Sequence, residues 1–198
     1  MNLLNYVIGY LWQRAAKVSL RLVGWSIVAD LPATEKYLLI GAPHTSNWDF
    51  PIALLMLAAI GVKLYWVGKD SLFKGLKGYV MRTLGGIPVE RGARNNFVGQ
   101  IVNLYNNRSK MVLTMAPEGT RKYLNHWKTG FYHIALNAKI PIAFGFVNYA
   151  KKTCGVGGYF TPTGDRDADL KTLREFYVDK MGKFPQQHNK IRFLKRNN

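Results

Sequence analysis

The sequence holds a single cysteine, Cys154, among 198 residues, so no disulfide can form within one chain. That usage suits a reducing compartment. Acidic side chains are also scarce: 11 Asp and Glu stand against 28 Lys and Arg, a net charge of +17. Such a charge leaves the fold undetermined but makes the surface attractive to polyanions, whether nucleic acid, an anionic membrane face or an acidic protein. No apolar run reaches the ~20 residues that span a bilayer. The opening MNLLNYVIGYLW is interrupted by Gln13, Arg14 and Lys17, and it lacks the leading positive charge and small-residue cleavage site of a signal peptide. Zinc-ligand spacings, an RNP-like aromatic strand and a KH-type loop are all missing, which counts against a specific nucleic-acid reader. So is the G-x-S-x-G nucleophile elbow.

What is present is globular. Apolar residues make up 48% of the chain and charged residues 20%. No repeat, low-complexity tract or linker divides it, so residues 31–198 read as one catalytic-sized domain behind an N-terminal segment, residues 1–30. In that segment Arg14, Lys17 and Arg21 share one helical face, and Leu3, Leu4, Val7, Ile8, Leu11, Trp12, Leu20, Leu22, Val23 and Trp25 cover much of the rest. The pattern predicts an apolar, basic helix or helix pair that either docks on a membrane interface or packs on the core of its own chain. Further on, strands are expected at 37–42, 63–68, 111–117, 140–149 and, weakened by glycines, 153–160. Helices are expected at 51–60, 71–83, 95–107 and 129–139, with a late amphipathic helix capped by Asp165 or Asp167. The alternation predicts an α/β fold with a mostly parallel central sheet flanked by helices.

Three polar clusters follow predicted strands, where such sheets carry their chemistry. In PHTSNWDFP, residues 43–51, His44 and Asp49 are five apart, which on a helix would point them about 140° away from each other. A turn through TSNW instead brings the carboxylate back to the imidazole, fixing its tautomer and leaving the other ring nitrogen to take a proton. The structural alternative is an Asp49 N-cap ahead of Pro51 and a loop histidine with no chemistry. In APEGTR, residues 116–121, Gly119 permits a tight turn that projects Glu118, Thr120 and Arg121, and an arginine there suits bidentate capture of phosphate. The alternative is a polar turn with a local ion pair. GGIPVERG, residues 85–92, ends in Glu90 and Arg91; alone it is a surface salt bridge on a hairpin. Together the three would gather a base, a carboxylate and two arginines around a phosphate-bearing substrate whose hydroxyl must lose a proton. Cys154, in a predicted strand with no basic neighbour, reads as an inert buried thiol. His126 and His133, seven apart, would share a helix face, but no further ligands stand at metal spacing, so no metal site is expected.

Taken in order, these blocks resemble the glycerolipid acyltransferase family, whose best-known members are the lysophosphatidic acid acyltransferases. The histidine–four residues–aspartate block is matched by His44 to Asp49. The glycine-rich block ending in arginine is matched by Gly85 to Arg91, and Pro-Glu-Gly-Thr-Arg in full by residues 117–121. The apolar strand with proline is matched by IPIAF from residue 140, and lysine-x-glycine by Lys128 and Gly130. Departures are Ala116 where the family usually has an aromatic, Lys122 where serine is common, and Pro88 where an aromatic is frequent.

The resemblance implies an O-acyltransferase of phospholipid biosynthesis or remodelling. His44, oriented by Asp49, would deprotonate a hydroxyl of a lysophospholipid or other glycerol-phosphate-type acceptor. The alkoxide would attack a thioester without an acyl-enzyme intermediate. Arg91, Glu118, Gly119, Thr120 and Arg121 would hold the acceptor head group. No cofactor is bound; acyl-CoA or acyl-acyl carrier protein serves as co-substrate. Implied partners are an anionic membrane surface, the lyso-lipid and acyl carrier protein, with no specific nucleic acid. Implied placement is peripheral or monotopic, on the cytoplasmic face of the membrane. A thioesterase using the same dyad, and a basic nucleic-acid- or membrane-binding module without catalysis, stand as alternatives.

Overall fold

The computed structural model of the chain describes residues 3–89 and 97–194. Helix α1 (Leu3–Leu22) leads to strand β1 (Ser26–Asp30). Then come β2 (Lys36–Gly41), α2 (Asp49–Ala59), β3 (Leu64–Lys69), a 3₁₀ turn (Asp70–Phe73), α3 (Gly75–Thr83) and β4 (Gly86–Val89). The chain continues through α4 (Phe97–Asn106), β5 (Met111–Met115), α5 (Gly130–Ala138), β6 (Ile142–Asn148), β7 (Thr153–Phe160) and α6 (Arg166–Tyr177). The strands form one sheet in the order β1-β7-β6-β2-β5-β3-β4. Every neighbouring pair is parallel except β6 with β7. This is the α/β architecture expected from the alternation of elements.

The central strands are covered on both faces, which is why they read as continuous apolar runs rather than alternating ones. Leu38, Leu39 and Ile40 of β2 are all buried, as is every residue of β6. One face of the sheet packs through Leu38, Ile40 and Leu113 onto Ile101 and Tyr105 of α4, Phe131 and Ile134 of α5, and Leu170 and Leu173 of α6. The other packs through Tyr37, Leu39, Val112 and Val147 onto Ala16 and Leu20 of α1 and Met56 and Leu57 of α2. Asp165 caps α6, accepting from the amides of Asp167 and Ala168, as its type and position predict.

Two local expectations change. Residues 26–30, expected to continue the N-terminal helical segment, are a strand. The helix ends at Leu22, Gly24 turns the chain at φ 81°, and Ile27 and Val28 pair in parallel register with Cys154 and Gly155 of β7. Trp25, counted with the helix, is instead buried against Tyr149, ring edge to face at 5.3 Å. The helix expected over 71–83 is split: a 3₁₀ turn through Phe73 precedes α3, and Gly75 takes φ 58°. His126 lies before α5 and His133 within it, so the two do not share a helix.

Candidate active site

Because β2, β5, β3 and β4 run parallel and adjacent, the loops after β2, β5 and β4 leave the same edge of the sheet. His44 follows β2 and Glu118 follows β5, the strand beside it. Their loops meet directly: Glu118 Oε2 accepts a hydrogen bond from the His44 backbone amide at 3.1 Å. Strand β4 lies three positions from β2, roughly 14 Å at the usual strand spacing. Arg91, which follows it, lies outside the described residues.

The awkward interval of five is resolved by the turn. His44 Nδ1 sits 3.2 Å from Asp49 Oδ2. The same oxygen accepts the amides of Thr45 and Ser46, each at 2.9 Å, and Oδ1 accepts the Tyr149 hydroxyl at 2.8 Å. Asp49 is the first residue of α2, yet its carboxylate faces back into the loop rather than onto the helix amides. The helix has no side-chain cap, so the capping role weighed for Asp49 is not the one it plays. Burial alone would raise its pKa, but the hydrogen bonds from His44, Ser46 and Tyr149 outweigh that cost and lower it. It is therefore an anion at neutral pH, and the pair can stabilise an imidazolium on His44.

Glu118 behaves differently. It is buried beside Asp49, with the His44 amide as its one donor among the described residues, and desolvation, aided by the neighbouring negative charge, raises its pKa to about 7. Its role is to tie the β5 loop to the β2 loop. Gly119 takes φ 66°, and a Cβ there would fall 2.7 Å from Lys128 Nζ, so the lysine stem lies across the glycine. Lys128 also donates its amide to the Pro117 carbonyl at 2.9 Å, which places the Lys128–Gly130 pair against the Pro-Glu-Gly-Thr-Arg turn. Thr120 Oγ1 accepts the Lys122 amide at 3.2 Å. Arg121 is exposed and reaches Asn47 Oδ1 at 2.6 Å, so the structure brings together all the expected site residues among those described.

Two spaces flank the His44–Asp49 loop. One, of about 230 Å³, runs between α2 and the sheet and is lined almost wholly by apolar groups, including Leu39, Ala53, Leu54, Leu57, Trp66 and Ala116. His44 and Asp49 stand in its wall, and Ala116 takes the position where a larger side chain would reduce it. The other, of about 420 Å³, is polar and more open, lined by Thr45, Ser46, Asn47 and Trp48 together with Arg121, Lys122 and Lys183.

Lys183 belongs to a segment the sequence did not flag. After α6 the chain returns across the His44 loop. The Phe184 amide donates to Thr45 Oγ1 at 3.2 Å. A Cβ on Gly182 would fall 2.6 Å from that same oxygen. The Gln187 side-chain amide faces two carbonyls; assigned with its nitrogen toward them, as those acceptors require, it donates to Arg121 O at 2.7 Å and Thr45 O at 2.9 Å. His188 Nε2 accepts the Gly182 amide at 2.8 Å, and Tyr149 donates its own amide to Met181 O. Tyr149, Gln187 and Lys183 carry no short motif, so only the pairing of a distant segment with the loop reveals them. Cys154 is fully buried and its thiol is pushed up to about 12 by burial, away from any nucleophilic role. Among the described residues no group of three His, Cys, Asp or Glu is placed to hold a metal ion.

The site thus gathers a histidine, an aspartate and a Pro-Glu-Gly-Thr-Arg turn at one edge of a parallel sheet. The family model described as Acyltransferase matches residues 27–143, more than half of the chain, and the chain belongs to that family. Its fold is similar to that of PlsC from Thermotoga maritima, the 1-acyl-sn-glycerophosphate (LPA) acyltransferase. The TM-score is 0.55, with 87% of this chain and 77% of that one covered at 16% identity. No curated protein matches the sequence.

Proposed function

We propose that the protein transfers a fatty acyl group from a thioester donor, acyl-CoA or acyl-acyl carrier protein, to a hydroxyl of a lysophospholipid or similar glycerol-phosphate acceptor. The observation that carries this reading is the His44–Asp49 pair standing between an apolar cavity and a basic pocket. With Nδ1 held by the carboxylate, Nε2 is left to take the acceptor's proton, a step worth roughly 10²–10⁴ in rate. The apolar cavity suits the acyl chain. Arg121 suits the acceptor phosphate, with Arg91 as its second cation and Glu118, Gly119 and Thr120 forming the turn that presents it. The alkoxide attacks the thioester carbonyl directly, and the thiol leaves with the proton from His44. The amides of residues 44–46 are already engaged by Glu118 and Asp49, so the oxyanion falls to donors outside that turn.

In this reading the enzyme is peripheral, working at the cytoplasmic face of an anionic membrane. No described helix is long and apolar enough to cross a bilayer. Helix α1 is the docking element: Val7, Ile8, Leu11, Trp12 and Val18 are exposed on it alongside Arg14, Lys17 and Arg21. The test is an acyl-transfer assay with both donor types against a panel of lyso-lipids. Acceptor-dependent thioester turnover is expected to fall at least 100-fold in His44→Ala; unchanged turnover would overturn the mechanism. Release of free fatty acid without need of an acceptor would make the protein a hydrolase.

A further inference from the structure

Helix α3 turns its apolar stripe outward. Leu76, Tyr79 and Val80, spaced three and four apart on one helix face, are 83%, 68% and 44% exposed, and Leu84 just beyond the helix is exposed too. On a helix packed in the ordinary sense this stripe would face the core. Here the inward position is Gly78, where a Cβ would fall 2.1 Å from the Phe73 carbonyl oxygen. Lys74 and Lys77 are exposed beside the stripe, and no Asp or Glu occurs from residue 71 to residue 89. The β3–α3–β4 crossover continues in the same direction across the sheet as β2–α2–β3, which puts α3 on the sheet face of α2. Trp66 of β3, which lines the apolar cavity, packs on Phe50 of α2 at 6.3 Å and on Phe73 below α3 at 5.8 Å.

We propose that α3 is a second membrane contact, its Leu76–Tyr79–Val80 stripe entering the interfacial region of an anionic leaflet while Lys74 and Lys77 meet lipid phosphates. An exposed apolar stripe rimmed by cations and free of acids is complementary to such a surface. Two copies meeting through this face would oppose their lysines, which disfavours self-association. The proposal rests on the membrane-docking reading of α1 and adds a contact at the β4 edge of the sheet. With α1 packed on α2 toward the β1 side, the two contacts lie on either side of α2.

The chain offers a clean probe, because its single cysteine is buried. A Val80→Cys variant labelled with an environment-sensitive fluorophore is titrated with vesicles of phosphatidylcholine alone or with added phosphatidylglycerol. A blue shift with the anionic vesicles is expected, with about tenfold weaker vesicle binding for the unlabelled triple variant Leu76→Gln, Tyr79→Ser, Val80→Gln. Turnover of a water-soluble short-chain lyso-acceptor by that variant should be unchanged. A label that stays in water while the protein sediments with anionic vesicles overturns the α3 contact and leaves docking by α1 and acyl transfer standing. Failure of the parent chain to bind vesicles at all overturns both docking contacts. A blue shift that appears without vesicles as protein concentration rises, or on adding acyl carrier protein alone, overturns the proposal in favour of a protein interface. Loss of soluble turnover in the triple variant places the stripe in the reaction and overturns it as well.

Discussion

Asp49 and Glu118 are two carboxylates in one site with opposite fates, and the difference lies in their donors. Asp49 receives four hydrogen bonds or close donors, from His44, Thr45, Ser46 and Tyr149, and stays ionised. Glu118 receives one backbone amide, and burial raises its pKa from 4.5 to about 7. A carboxyl whose pKa is raised on folding adds stability in full below its unfolded value, and loses that contribution as pH rises toward its folded value. For Glu118 the window runs from about pH 4.5 to 7, and the linkage is on the order of 3 kcal/mol. Chemical unfolding of the parent and of Glu118→Gln should therefore show the variant gaining on the parent across that window. A difference that stays flat with pH would mean that Glu118 is ionised throughout. His44, Asp49, Glu118 and Arg121 were legible in the sequence because each sits in a short block. Tyr149, a hundred residues from Asp49, was not, since one tyrosine among 11 has nothing local to mark it.

Among the elements, the segment 181–189 has the most to add. It has no regular structure beyond one 3₁₀ turn at Pro185–Gln187, yet it ties the His44 loop to the Arg121 loop through Gln187. Two partly buried hydrogen bonds of this kind are worth about 1 kcal/mol each. Gln187→Ala should lower the unfolding free energy by about 1–2 kcal/mol and raise KM for a phosphate-bearing acceptor more than it lowers kcat. An unchanged KM would mean the segment only covers the loops. The elements themselves were largely readable, since buried parallel strands and amphipathic helices carry strong patterns. Besides the split of 71–83, the main exception was Ser26–Asp30, five residues at the sheet edge. Its identity as a strand comes from pairing with β7, a partner more than 120 residues away.

For the whole molecule, the +17 charge governs how the surface meets its surroundings. If α1 and the basic surface dock on anionic lipid, affinity for phosphatidylglycerol-containing vesicles should fall at least tenfold as the Debye length shrinks from ~30 Å at 0.01 M salt to ~3 Å at 1 M. A remainder carried by Leu11 and Trp12 should survive. Salt-independent binding would count against electrostatic docking. Removing α1 outright is the wrong test, because Ala16 and Leu20 belong to the core beside α2 and truncation would expose it. The two readings weighed for that helix, membrane interface or core packing, are compatible: one face does the packing and the other stays exposed.

The sequence by itself determined the α/β class, the order of most of the elements and the identity of the base, carboxylate and arginine candidates. All of these depend on periodicity and short spacing, which are local properties of the chain. Only the tertiary structure decided that Asp49 turns back to His44 instead of capping α2, that Glu118 is buried with its pKa raised, and that Gln187 and Tyr149 brace the site. It also decided that α3 faces its apolar stripe away from the core. Each of these depends on which distant segment comes to lie against a given side chain, and a parallel sheet with crossovers brings together residues that no local pattern relates.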